Sequence, residues 1–214
     1  MESVALIDYG SGNLRSAEKA LRRVASERGI ASDILVTADP DVVARADRIV
    51  LPGVGAFAAC MNALHKREGL VQAMNEAVRS KGAPFLGVCV GMQLLATRGL
   101  EFGVTPGLGW IEGDVVRMEP GDPSLKVPHM GWNALDVRRF HPLFEGEPEG
   151  PHMYFTHSFV FEPADTADVL AVFDHGGRYV AAVARDNVAG VQFHPEKSQA
   201  AGLRLLANFL EWRP

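Results

Sequence analysis

The chain has 214 residues, 47% hydrophobic and 22% charged, enough to bury a substantial core and matching one ordinary domain over residues 1–214. A formal net charge of −5 without any lysine or arginine run speaks against nucleic-acid binding, which calls for basic patches. The opening Met-Glu-Ser-Val-Ala-Leu-Ile-Asp has no basic flank of a signal peptide, and the longest uncharged window, Gly82 to Thr97, is too short and glycine-broken to span a membrane, so a cytoplasmic protein with no membrane partner is expected.

In chain order, Val4–Asp8 reads as a short apolar strand. Asn13–Arg28 has helical spacing, with Leu14, Ala17, Leu21 and Val24 on one face. Ile34–Thr37 is a strand, and Asp39-Pro40 opens a short helix with aspartate as N-cap and proline in the first turn. Arg48–Leu51 is a buried strand. Phe57–Ser80 is helical in two pieces around Gly69, Pro84–Val88 is a strand, and Val90–Thr97 is a helix. Strands alternating with helices imply an open, mostly parallel sheet covered by helices on both faces.

The second half changes character. Trp110–Met118, Val127–Val137, Met153–Phe161, Val169–Phe173, Tyr179–Arg185 and Val188–Phe193 read as strands, and a last amphipathic helix runs from Gln199 to Trp212. These strands add antiparallel pairing, in the same sheet or in a second one beside it. The stretches near 120–126 and 145–151, rich in Gly, Pro and acid, are surface loops.

Within Phe85–Leu95, Gly87-Val88-Cys89-Val90-Gly91 has the spacing of a strand-to-helix elbow that lifts a nucleophile out of a sheet edge. Such a turn crowds its neighbours, so the flanking residues must lack a Cβ. The following helix start favours a thiolate. A core cysteine in a glycine-tolerant strand is the plainer alternative. Cys60, in the helical pattern Phe57-Ala58-Ala59-Cys60-Met61, has no glycine frame and reads as core or helix face. The two cysteines make neither a disulfide framework nor a CxxC pair.

A thiolate nucleophile needs a histidine for proton exchange, and the histidine needs an orienter. Among seven histidines, His194 alone ends an apolar strand beside a carboxylate, in Val188-Ala189-Gly190-Val191-Gln192-Phe193-His194-Pro195-Glu196. Side chains two apart in an extended chain face the same way, so His194 and Glu196 can meet. A polar strand end leading into a loop would give the same letters. His157 is the rival base, but inside a strand it suits packing or hydrogen bonding, as does His129. His65, His141, His152 and His175 read as surface residues. No HxxxH or CxxC spacing suggests a metal site. Leu51-Pro52-Gly53-Val54-Gly55 leaves a strand at the same sheet edge. Its backbone could donate an N–H to an oxyanion beside that of Val90, unless it is a plain turn.

Taken together, PGVGAF, GVCVGMQLLA and VQFHPEKS resemble a class I glutamine amidotransferase of the Cys-His-Glu type, over nearly the whole chain. IDYGSGNLRSAEKAL, PHMGWN, YFTHSF and GLRLLANFL resemble the branch of that family formed by glutaminase subunits of imidazole glycerol phosphate synthases. The resemblance implies a flavodoxin-like fold. It also implies Cys89 as nucleophile, His194 as acid and base, and Glu196 as orienter. The oxyanion donors would be the backbone of Val90 and of Gly53 and Val54. Gln93, Gly55, Thr156, His157 and Ser158 would bind L-glutamine, and Asn13, Trp132, Tyr154 and Lys197 would face the partner. That partner would be a cyclase subunit of (β/α)8 type in a heterodimer, receiving ammonia directly. No cofactor is implied. Val90 stands where the family more often has leucine, which leaves the backbone donor in place.

Rival readings are a glutaminase of another synthase, a cysteine peptidase or thioesterase on a similar elbow, and a scaffold without activity.

Overall fold

The computed structural model describes residues 1–214. The first half contains β1 (Glu2–Ile7), α1 (Leu14–Arg28), β2 (Ser32–Thr37), α2 (Pro40–Ala44), β3 (Arg48–Gly53), α3 (Phe57–His65), α4 (Leu70–Asn75), β4 (Phe85–Cys89) and the one-turn α5 (Val90–Gln93). The second half adds β5 (Arg98–Gly99), β6 (Thr105–Pro106), β7 (Gly113–Arg117), β8 (His129–Ala134), β9 (Asp136–Val137), β10 (His152–His157) and β11 (Phe159–Pro163). It ends with β12 (Val169–Asp174), β13 (Arg178–Arg185), β14 (Val188–Val191) and α6 (Gln199–Glu211).

Eight strands form one sheet in the order β2-β1-β3-β4-β14-β13-β12-β9. The strands from β2 to β14 run parallel, and β13, β12 and β9 continue antiparallel. The mostly parallel sheet and its antiparallel additions are therefore as expected. The crossover from β1 to β2 and that from β3 to β4 run in opposite directions along the sheet. Right-handed connections then put their helices on opposite faces. Accordingly α1 packs with α6, while α2 and α3 pack with α4.

Local chemistry explains the helix ends. Asp39 accepts from the Asp41 amide at 2.9 Å and Pro40 fills the first position of α2. Gly29 ends α1 at φ 66°, with the Ile30 amide turned back to the Ala25 carbonyl at 2.8 Å. Arg48, only 1% exposed, spends its charge on Glu2 at 3.1 Å and on the Phe209 and Trp212 carbonyls at 2.9 and 2.8 Å. It thus pins the end of α6 to the sheet and meets the requirement that a buried charge be paired.

Three strands and a helix differ from the sequence expectation. Met153–Phe161 is two strands, because Ser158 breaks the run and passes the chain from the two-stranded ribbon β8–β10 to the four-stranded sheet β11-β7-β5-β6. Val127–Val137 divides at Leu135, β8 joining the ribbon and β9 the main sheet. The helix expected over Val90–Thr97 stops at Gln93 and the strand expected from Trp110 begins at Gly113, for one reason. The amides of Leu108, Gly109 and Trp110 donate to the carbonyls of Leu94, Ala96 and Leu95 at 2.8–3.0 Å, taking acceptors a longer helix would use.

Candidate active site

The carboxyl ends of β3, β4 and β14 lie side by side, the edge at which open α/β sheets bind ligands. Cys89 ends β4 there at φ 56° and ψ −114°. This is a conformation a side chain takes only under strain, outside even the left-handed helical well. The glycine frame has a direct cause. A Cβ on Gly87 would run into the Gly91 carbonyl, and one on Gly91 into the Leu51 carbonyl of β3. Both positions are closed to any larger residue, and Cys89 is turned to the edge between them. Cys60, buried at 1% exposure, lies in α3 as a core residue.

His194 leaves the end of β14 with extended backbone, its amide held by the Tyr154 carbonyl at 2.9 Å. Its Nδ1 meets Glu196 Oε1 at 3.0 Å, both side chains being nearly excluded from solvent. The pair forms as expected but not in the expected geometry. Pro195–Lys197 is a 3₁₀ turn, so Glu196 folds back instead of continuing a strand. Ser198, which no motif or periodicity marks, locks this turn. Its hydroxyl donates to the His194 carbonyl at 2.7 Å and accepts from the Tyr154 amide at 2.9 Å.

Two imidazoles beside the same cleft are driven in opposite directions. Burial works against a charged His194, but hydrogen bonds and charge from Cys89 and Glu196 outweigh it and hold the imidazole up at about 9. Burial pushes His157 down to about 3, with the neighbouring histidines adding to it against the Phe159 carbonyl. His157 Nδ1 faces that carbonyl at 2.9 Å and so carries the hydrogen. Its Nε2 then accepts from His129 Nδ1 at 3.3 Å, and Asn133 donates to His129 Nε2 at 3.3 Å. His157 is a fixed neutral member of a hydrogen-bonded wall, and His194 is the group that can give a proton. Two histidines read as surface residues are not. His141 is 8% exposed and caps a 3₁₀ turn at the Leu143 amide, and half-buried His175 packs at a tilt against His129, ring centroids 4.3 Å apart.

A cleft opens over Cys89 and His194, lined also by Gly55, Val90, Gln93, Thr156, His157 and Ser158. Every expected substrate residue thus borders one cleft. Gln93 is almost fully buried and spends its Nε2 on the Phe159 carbonyl at 3.0 Å and on Gln192 Oε1 at 2.9 Å. Glu101, absent from the expected set, lines the cleft opposite in charge to Lys197, so the walls complement the two charges of an amino acid. No periodicity or motif marks Glu101. The loop after β3 differs from its simplest reading. The Val54 amide donates to Ser11 Oγ at 3.2 Å, and that hydroxyl donates to the Val54 carbonyl at 2.7 Å. The Val54 peptide groups are therefore engaged with Ser11, while Val90, first residue of α5, has no acceptor within the helix for its own amide.

Of the residues expected at a partner surface, three are contiguous. Trp132, 46% exposed, sits opposite Tyr154 across the ribbon with ring centroids 5.9 Å apart, and Lys197 Nζ lies 5.7 Å from the Tyr154 ring centre. Asn13 borders a small hollow that His194, Pro195 and Glu196 also line.

The family model for class-I glutamine amidotransferases matches residues 5–212, and the chain belongs to that family. Over its full length and theirs, it is 65% identical to the imidazole glycerol phosphate synthase subunit HisH of Caulobacter vibrioides. The subunit of the same description from Brucella abortus is 58% identical over 99% of each chain. A crystal structure of a glutamine amidotransferase superposes with a TM-score of 0.70 at 22% identity, covering 97% of each chain, which extends the likeness to the fold.

Proposed function

We propose that the chain is the glutaminase subunit of an imidazole glycerol phosphate synthase. It hydrolyses L-glutamine to glutamate and ammonia and passes the ammonia to a cyclase subunit of (β/α)8 type, in a cytoplasmic heterodimer serving histidine biosynthesis. The observation that carries the chemistry is the strained Cys89 elbow beside a His194 that Glu196 and Cys89 keep protonated. The full-length relatives, named as imidazole glycerol phosphate synthase subunits, carry the choice of branch.

In this reading the Cys89 thiolate adds to the amide carbon of glutamine, and the oxygen gains negative charge beside the Val90 amide. His194 gives its proton to the leaving nitrogen as the carbon–nitrogen bond breaks, so ammonia departs and a thioester remains. Neutral His194 then takes a proton from water as the oxygen attacks. Glutamate leaves and the thiolate returns, facing an imidazolium as before. Glu196 keeps Nδ1–H in place throughout, leaving Nε2 for the transfers. Glu101 faces the substrate ammonium, and Gly55, Gln93 and the 156–158 segment hold its amino-acid end. Trp132, Tyr154, Lys197 and Asn13 meet the partner.

The test is glutamate release from glutamine by the purified chain, alone and with a candidate cyclase subunit and its nucleotide ligand. Strong stimulation by the partner is expected. Release that ignores the cyclase would assign the chain to another synthase, and cleavage of peptides or thioesters but not glutamine would replace the reaction.

Engagement of the Val54 amide by Ser11 supplies a reason for low activity without the partner, since Gly53 and Val54 would form the second oxyanion donor. Ser11→Ala removes both hydrogen bonds. It is expected to raise glutamate release by the isolated chain on the order of tenfold, part of what one well-placed donor contributes. Unchanged release in this variant would separate Ser11 from the oxyanion loop's function.

A further inference from the structure

Gln192 takes no part in the reaction as written, yet its side chain is completely buried among the reacting groups. Its backbone amide is held by the Ala181 carbonyl at 2.8 Å. Its Oε1 accepts from Gln93 Nε2 at 2.9 Å, and its Nε2 donates to Cys89 Sγ at 3.8 Å. The direction of this chain is fixed from its far end. The Phe159 carbonyl can only accept, so the Gln93 group facing it at 3.0 Å is the NH₂. That NH₂ spends its second hydrogen on Gln192, which must then present its oxygen to Gln93 and its nitrogen to the sulfur. With both hydrogens of Gln93 used inside the protein, its carboxamide can offer the cleft only an oxygen. Gln93 can therefore read only a hydrogen-bond donor on the ligand, such as an ammonium or a primary amide.

We infer that Gln192 is a positioning residue that sets both ends of the site: it holds the Gln93 carboxamide with its oxygen toward the cleft, and it steadies the Cys89 sulfur by donating to it. A donor that has no proton to lose favours a thiolate over a thiol without competing with His194 as a base. Burying the carboxamide would cost free energy if its groups were left unpaired, and the contacts to Gln93 and Cys89 offset that cost. Only the Gln93 half of the inference rests on the glutaminase reading.

The test uses Gln192→Met, which keeps length but neither accepts from Gln93 nor donates to sulfur, and Gln192→Glu, which keeps shape but places a carboxylate beside the sulfur. Alkylation of Cys89 by iodoacetamide, resolved from Cys60 by peptide mass spectrometry, is followed against pH in the isolated chain. At neutral pH the rate is expected to fall by roughly threefold in Gln192→Met and by tenfold or more in Gln192→Glu, with the profile moved to higher pH. A purely structural role would reverse that order, because glutamate fills the space better. The second readout is KM for glutamine with the partner present, for Gln192→Met, Gln93→Leu and the double variant. Gln192→Met is expected to raise KM about tenfold and to add almost nothing to Gln93→Leu.

Wild-type alkylation profiles in both variants would overturn the contact with sulfur, and additive KM effects would overturn the orienting of Gln93. If the wild type releases no glutamate with any partner, the glutaminase reading fails, and the alkylation order still decides the role of Gln192 at Cys89. Should Gln192→Met not fold, as judged by circular dichroism, Gln192→Glu carries the alkylation test.

Discussion

Replacing Cys89 by alanine is expected to cut glutamate release with the partner present by at least about ten-thousandfold, the scale on which hydrolases lose turnover when a covalent nucleophile is removed. Serine should fare little better. His194 owes its raised pKa in part to the Cys89 hydrogen bond and charge. A hydroxyl that does not ionise near neutrality supplies no comparable charge, so the imidazolium–thiolate starting state is lost. The elbow makes a second result accessible from the same position. At φ 56° and ψ −114° Cys89 holds a backbone that glycine adopts without strain. Alanine keeps that strain, and glycine removes it at the cost of greater freedom in the unfolded chain. Cys89→Gly is therefore expected to be more stable than Cys89→Ala by about 1 kcal/mol, and equally inactive. Urea unfolding of the two variants, read beside their glutaminase assays, measures both. An alanine variant as stable as the glycine variant would mean that the elbow stores no strain, and glutamate release near the wild-type rate by Cys89→Ala would remove Cys89 from the mechanism.

The parts of this site legible in the sequence are those with local causes. Gly87 could be read because a steric conflict within five residues, with the Gly91 carbonyl, demands it; Gly91 was legible as the other half of that spacing, although the carbonyl it must clear is that of Leu51 on β3. His194 and Glu196 could be read because they are two residues apart at the end of an apolar run, although a 3₁₀ turn, not an extended strand, brings them together. The parallel half of the sheet followed from alternation of strand and helix patterns. What was not legible depends on distant pairing. Ser198 matters because the Tyr154 amide of another strand reaches it, and Ser11 because the chain 43 residues later folds over it. Glu101 sits in an irregular stretch where no periodicity marks a functional side chain. Gln192 left one clue unused. A polar residue two before His194, in an apolar run that reads as a strand covered on both faces, must be hydrogen-bonded inside the protein, and Gln192, one residue past the end of β14, is. Strand ends at Ser158 and Leu135 were missed for the same reason as these contacts. Apolar alternation continues through both points, while the pairing partner changes from one sheet to another.

Glu196→Gln changes one atom of the site and should reveal how much depends on its charge. Glutamine can still accept the hydrogen bond that Glu196 Oε1 now receives from His194 Nδ1 at 3.0 Å. It cannot oppose burial with a negative charge, one of the effects holding His194 up at about 9. It can also turn its NH₂ toward the ring, which would favour the wrong tautomer. Glutamate release at neutral pH is expected to fall by about a thousandfold, between the loss of a mere contact and the loss seen when a triad carboxylate becomes an amide. The pH dependence separates charge from geometry. In the wild type, glutamate release should decline as pH rises through about 9, where His194 gives up the proton that the leaving nitrogen needs. In Glu196→Gln that decline should begin at lower pH. Stability follows with the same sign. A histidine whose folded pKa lies above its unfolded value near 6.5 contributes stability that is fully present below about 6.5 and fades as pH rises through about 9. The stability difference between wild type and Glu196→Gln, from urea midpoints across that range, should therefore be largest on the acid side of the window, as long as Glu196 remains ionised, and should shrink toward its alkaline end. A difference independent of pH, with an unmoved alkaline decline in glutamate release, would mean that Glu196 orients His194 only by shape. The charge that keeps the imidazolium in place would then have to come from Cys89 alone.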